Sequence, residues 1–87
     1  MSLQASIEGK LRAAFHPSEL ELSDDSHRHR HHASGAGRAH LSVRIVSAAF
    51  VGQSVMQRHR AIYKVLQDEL AGPVHALVIS ALAPGER

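Results

Sequence analysis

Residues 50–77 read FVGQSVMQRHRAIYKVLQDELAGPVHAL. Phe50 and Gly52 read as a core anchor followed by a tight turn, and Ser54 can cap a short helical turn over residues 55–57. From Arg58 to Leu70, apolar residues recur at Ile62, Val65, Leu66 and Leu70, the stripe of an amphipathic helix with Tyr63 at its flank. Gly72-Pro73 stops that helix. Residues 74–82 are then apolar except for His75 and Ser80, which predicts a well-buried strand whose strict alternation sets His75, Leu77 and Ile79 on one face. One stretch thus supplies turn, helix and strand in order, and with them a basic helix start and an isolated histidine.

Working towards the N-terminus, residues 39–47 place Leu41, Val43 and Ile45 in alternation with Ser42 and Arg44, the pattern of a half-buried strand. Leu20 and Leu22 alternate in the same way with Glu19, Glu21 and Ser23. Between them, residues 24–38 carry no hydrophobic period, two glycines and four of the eight histidines, so a long flexible loop is expected there. Strands so connected pair most simply as antiparallel neighbours. Leu3, Ile7, Leu11 and Phe15 stand four apart, which predicts a helix over residues 2–15, with Glu8 and Arg12 paired on another face. Pro17 ends that helix by disfavouring helical geometry at His16. The resulting order is α-β-β-α-α-β: one α+β domain over residues 1–87, three strands with the helices on one face, and a frayed tail at 83–87.

Composition excludes several function classes. The chain has no cysteine, so it builds neither a disulfide framework nor an all-thiolate metal site by itself. No apolar run approaches the roughly 18 residues of a membrane span, and Glu8, Lys10 and Arg12 argue against a signal peptide, so a cytoplasmic location is expected. No nucleophile elbow, H-E-x-x-H, P-loop or G-x-G-x-x-G is present, and the acids at 24/25 and 68/69 are adjacent pairs that point apart. Catalysis is not expected.

Charge is distributed unevenly. Residues 26–67 contain no Asp or Glu, yet they hold Arg28, Arg30, Arg38, Arg44, Arg58, Arg60, Lys64 and six of the eight histidines. Such one-sidedness suits an anionic partner, or else a solvated face balanced by acids elsewhere in the fold. Arg58 and Arg60 open the long helix, where they could meet phosphate, or pair with carboxylates such as Asp24 or Asp25. The run His27-Arg-His29-Arg-His31-His32 could capture a metal ion, or remain a solvated loop. By spacing alone His75 reads as a packed strand residue more readily than as a ligand.

These residues together resemble a known family. F-x-G-x5-R-H-R-x-I-Y over residues 50–63, Val74-His75-Ala76-Leu77, the G-K-L-R-A-A-F segment at 9–15, the S-x-x-H element at 26–29 and His40 before the second strand are similar to BolA-like proteins. The resemblance implies a class II KH-like fold with a three-stranded mixed sheet. It also implies partnership with a monothiol glutaredoxin, in which a [2Fe–2S] cluster is shared in iron homeostasis or cluster trafficking. Carried over by position, the metal ligands fall on His75 and His29, with His27, His31 and His32 as close substitutes. Partner cysteine and glutathione would supply the thiolates, and no cofactor is expected in the isolated chain, a monomer or weak homodimer. Some family members are stress-responsive, DNA-binding transcriptional regulators, and here Arg58, Arg60, Lys64 and Arg44 are the corresponding candidates. Gly52-Gln-Ser-Val55 lacks the GxxG loop by which KH domains grip nucleic acid, so RNA binding of that type is not implied.

Overall fold

The computed structural model of the chain describes residues 2–24, 39–72 and 74–86, with the side chains of residues 39 and 75 outside that description. Helix α1 spans Leu3–Phe15. Ser2 accepts a hydrogen bond from the Ala5 N–H at its start, and His16 closes its end in the left-handed conformation, donating its N–H to the Arg12 carbonyl. Ile7 and Leu11 are fully buried, and Leu3 and Phe15 pack beside the core, so the four-residue stripe is the buried face. Arg12 bonds Glu8 on the solvent side, as their spacing predicts.

Strand β1 (Glu19–Asp24) and strand β2 (Ala39–Val46) pair antiparallel, Leu20 opposite Ile45 and Leu22 opposite Val43. Leu41, Val43 and Ile45 are buried, while Ser42 and Arg44 turn to the other sheet face. Asp24 belongs to β1, opposite Leu41, so the loop expected over 24–38 starts no earlier than residue 25. The rest of that loop, with its four histidines, lies outside the described residues. Ser47, almost fully buried, then knots three elements together. Its hydroxyl donates to the Phe15 carbonyl at 2.6 Å and accepts from the Ala49 N–H, and its own N–H donates to the Leu82 carbonyl.

A single 3-10 turn (Ala48–Phe50) drops the Phe50 ring into the core 5.1 Å from the Phe15 ring. Helix α2 spans Val55–Val65 and helix α3 spans Gln67–Ala71. The sequence placed a short turn at 55–57 and a fresh helix at Arg58; instead one helix begins at Val55. Ser54 and Gln57 form a reciprocal capping box that satisfies the first free N–H groups, so no second start is needed. The division falls at Leu66. Bonds from Leu66 N–H to the Ile62 carbonyl and from Leu70 N–H to the Leu66 carbonyl cross it, so the axis is interrupted without a loop.

Strand β3 (Val74–Leu82) pairs parallel with β2, giving a mixed sheet in the order β1-β2-β3 with the helices on one face. It is an edge strand, not the well-buried one its composition suggested. Leu77, Ile79 and Ala81 face the helices, but Val78 is 66% exposed on the open face. The hairpin already fills one side of β2, so the crossover can deliver β3 only to the outside of the other. Among the described residues no helix is long and apolar enough to cross a membrane.

Candidate functional site

The β2–β3 register defines one end of the sheet. Ala39 stands opposite Val74 and His40 opposite Ala76, so β3 carries one extra residue, His75, at a slip in the ladder. Val74 is buried although Ala76 is only half-buried and Val78 exposed, whereas Leu77 packs on the core. The strict alternation read from sequence across His75, Leu77 and Ile79 is therefore interrupted at this point. Strand β1 ends at Asp24, opposite Leu41, and β2 begins at Ala39, opposite Val74, so these two residues flank residues 25–38. Both attachment points of that segment thus lie at the sheet end that holds the backbone of His75. His27, His29, His31 and His32 belong to the segment and lie outside the described residues. Among the described residues no three His, Asp or Glu side chains cluster as a metal site.

The R-H-R triplet sorts into three different environments. Arg58 is only 6% exposed. Its Nη1 donates to the Ala81 carbonyl at 3.0 Å and to Glu86 Oε1 at 2.5 Å, and its Nη2 donates to Glu86 Oε2 at 3.0 Å. The guanidinium lies 6.0 Å from the centre of the Phe50 ring. Glu86 also accepts the Ala83 N–H at 2.9 Å, and these bonds, Arg58's first, hold its carboxyl down at about 2. The same carboxylate raises the Arg58 guanidinium above its ordinary range. Of the two readings of Arg58, the carboxylate partner is the one seen, and that acid is Glu86; the same fork fastens the tail that was expected to fray.

His59 is half-buried, its ring edge-on to Tyr63 at 6.5 Å. Arg60 and Lys64 are exposed, one turn apart on α2. Arg44 lies on the open face of the sheet, away from the helices, and donates to Glu19 Oε1 at 3.0 Å. The four cations grouped in sequence as a nucleic-acid surface therefore do not share one: Arg58 is inside, Arg44 is on the other layer, and Arg60 and Lys64 remain together. Sequence reading missed a shallow hollow of about 630 Å³ lined by Val55, Met56, His59, Arg60 and Tyr63. Its signal was the spacing of Val55, His59 and Tyr63, a second stripe at four-residue intervals beside the core stripe. A further ion pair, Lys10 Nζ to Glu69 Oε2 at 2.7 Å, ties α1 to α3 and raises the lysine pKa.

Comparison with known proteins agrees with this architecture. A family model described as BolA-like protein matches residues 11–86. The chain is 49% identical to the Sinorhizobium "uncharacterized protein in cobS 5′ region", covering 99% of this chain and 96% of that one. It is 43% identical to the Escherichia coli "DNA-binding transcriptional regulator BolA" over 91% of this chain and 73% of that one. Other relatives are longer: the chain spans 60% of mouse BolA-like protein 1 and 23% of SufE-like protein 1 of Arabidopsis thaliana. The solved BolA domain of SufE1 from Arabidopsis thaliana superposes with a TM-score of 0.85 at 41% identity, covering all of this chain and 99% of that one. With the α-β-β-α-α-β order, the mixed sheet and the F-x-G and R-H-R positions all accounted for in the fold, the chain is a member of the BolA-like family.

Proposed function

We propose that the chain is a non-enzymatic partner of a monothiol glutaredoxin, the two proteins sharing a [2Fe–2S] cluster in iron homeostasis or cluster trafficking. The observation that carries this reading is the convergence at one sheet end. His75 stands at the register slip of β3, and the segment bearing His27, His29, His31 and His32 is anchored on either side at that same end. The donor set fits a share of a cluster rather than a whole one. Neutral imidazoles are available from two segments, but the chain has no thiolate, so cysteine and glutathione must come with the partner. His75 is the ligand from β3, and His29 the ligand from the 25–38 segment, with its three neighbours able to substitute. When bound, the cluster would supply a one-electron or transferable iron centre, its potential raised by imidazole in place of thiolate. The chain's own part is to present neutral imidazole.

The test is a titration of the protein into cluster-loaded monothiol glutaredoxin, followed by visible absorption and circular dichroism. The wild-type chain should change the spectrum, His75→Ala should abolish the change, and His29→Ala should weaken it less. An unaltered response from His75→Ala would remove the assignment.

A second reading, a DNA-binding regulator, is favoured by the name of the Escherichia coli relative and by the exposed pair Arg60 and Lys64 on α2. It rests on Arg60 and Lys64 rather than on the histidines of the first reading.

A further inference from the structure

The two edges of the sheet are built differently. The β1 edge carries Glu19, Glu21 and Asp24, three exposed acids that repel a like strand. The β3 edge carries no charged residue from Val74 to Leu82 and no proline, the residue types that usually protect an open edge. Its orientation can be read from two hydrogen bonds. The Leu82 carbonyl accepts the Ser47 N–H and so points inward to β2; the Ala81 carbonyl accepts Arg58 Nη1. Backbone groups alternate along a strand, so Ser80 and Val78 face β2, and Leu77 and Ile79 turn their N–H and C=O outward. Among the described residues no other backbone group bonds to these two outward positions.

We infer that the β3 edge is a self-association surface, and that its occupant is the β3 strand of a second copy of this chain, antiparallel about a two-fold axis through Val78. Val78 is the middle residue of Val74–Leu82, so the strand is centred for pairing with itself. In that register Leu77 of one copy opposes Ile79 of the other. Each such pair exchanges two N–H···O=C bonds, giving four across the axis and a continuous six-stranded sheet. Val78 opposes Val78 as the non-hydrogen-bonded pair, with Cα atoms about 4.5 Å apart and side chains in contact. That contact covers an apolar side chain which is otherwise 66% exposed. Pairing stops at both ends: Arg58 already occupies the Ala81 carbonyl, and the slip at His75 breaks the ladder. A strip this short buries less than the roughly 1,200 Å² of a standard stable interface, so the dimer is weak and depends on concentration.

The experiment uses sedimentation or light scattering at rising protein concentration. The apparent mass should climb from 9.4 kDa towards twice that value. Val78→Lys, at an exposed position that spares the core, should hold it at the monomer value by setting two ammonium groups opposite each other. The absence of cysteine permits a second measurement, because Val78→Cys introduces the only thiol, at a pair spacing within disulfide reach. Under mild oxidation it should cross-link about ten-fold faster than Val51→Cys; Val51 is equally exposed, at 66%, but lies on the turn before α2. Equal cross-linking rates, a wild-type chain that stays monomeric at every concentration, or a mass increase that Val78→Lys leaves unchanged would each overturn the inference.

Discussion

Glu86 gives up its proton at about pH 2 because Arg58 donates two hydrogen bonds to its carboxylate and Ala83 a third. A carboxyl whose pKa is lowered on folding adds stability above its unfolded value, here near 4.5, and that contribution disappears as the pH falls from there through about 2. Thermal unfolding of the wild-type chain and of Glu86→Gln should therefore separate at neutral pH, with the wild type higher, and converge in the acid limb. A constant gap across the whole range would mean that packing, not the ionised fork, is what Glu86 contributes. Phe50, fully buried beneath the guanidinium and against Phe15, is a different kind of residue. Its truncation to alanine should cost about 3–5 kcal/mol, read from the denaturant midpoint, because the lost burial is compounded by a cavity the neighbours only partly refill. The sequence spacing identified Phe50 as an anchor, whereas the role of Arg58 was hidden. Its acceptor is 28 positions away, near the end of the chain, and no local pattern links the two.

At the level of elements, α2 depends on the turn before it. Ser54→Ala removes one half of the capping box and should cost about 1 kcal/mol. Gly52 has φ 79° and open space around its Cα, so Gly52→Ala should cost about 1 kcal/mol from backbone conformation alone. Gly9, inside α1 and equally uncrowded, should behave oppositely: Gly9→Ala should stabilise by about 0.5–1 kcal/mol. Opposite signs for the two glycines, measured by urea unfolding, distinguish a conformational effect from a steric one. Helix α1 was legible because its apolar stripe and Pro17 point to the same limits. The division at Leu66 was not, since Ile62, Val65, Leu66 and Leu70 keep a helical period straight through it. Nor was the edge position of β3, because an apolar run looks the same whether one face or two are covered; only the pairing order separates them.

Over the whole molecule, strand pairing decides which distant residues can act together. It gathers the His75 end of β3 and both ends of the histidine segment at one pole, an arrangement legible in sequence only through the family resemblance. Strand and helix layers also divide the cations that sequence order had grouped, leaving Arg60 and Lys64 as an exposed pair while Arg44 bonds Glu19 across the sheet. If the chain binds duplex DNA through α2, each phosphate neutralised adds about 0.9 to the log–log salt slope. The double substitution Arg60→Ala and Lys64→Ala should then flatten the slope by about 1.8, and Arg44→Ala should leave it unchanged. Arg58→Ala should lower stability, yet among correctly folded molecules it should not alter the slope, because its guanidinium is spent on Glu86 and Ala81. A titration over several salt concentrations measures all three variants at once. Equal flattening by Arg44→Ala would mean that DNA lies across the open sheet face instead, and no binding even at low salt would remove α2 as a nucleic-acid surface.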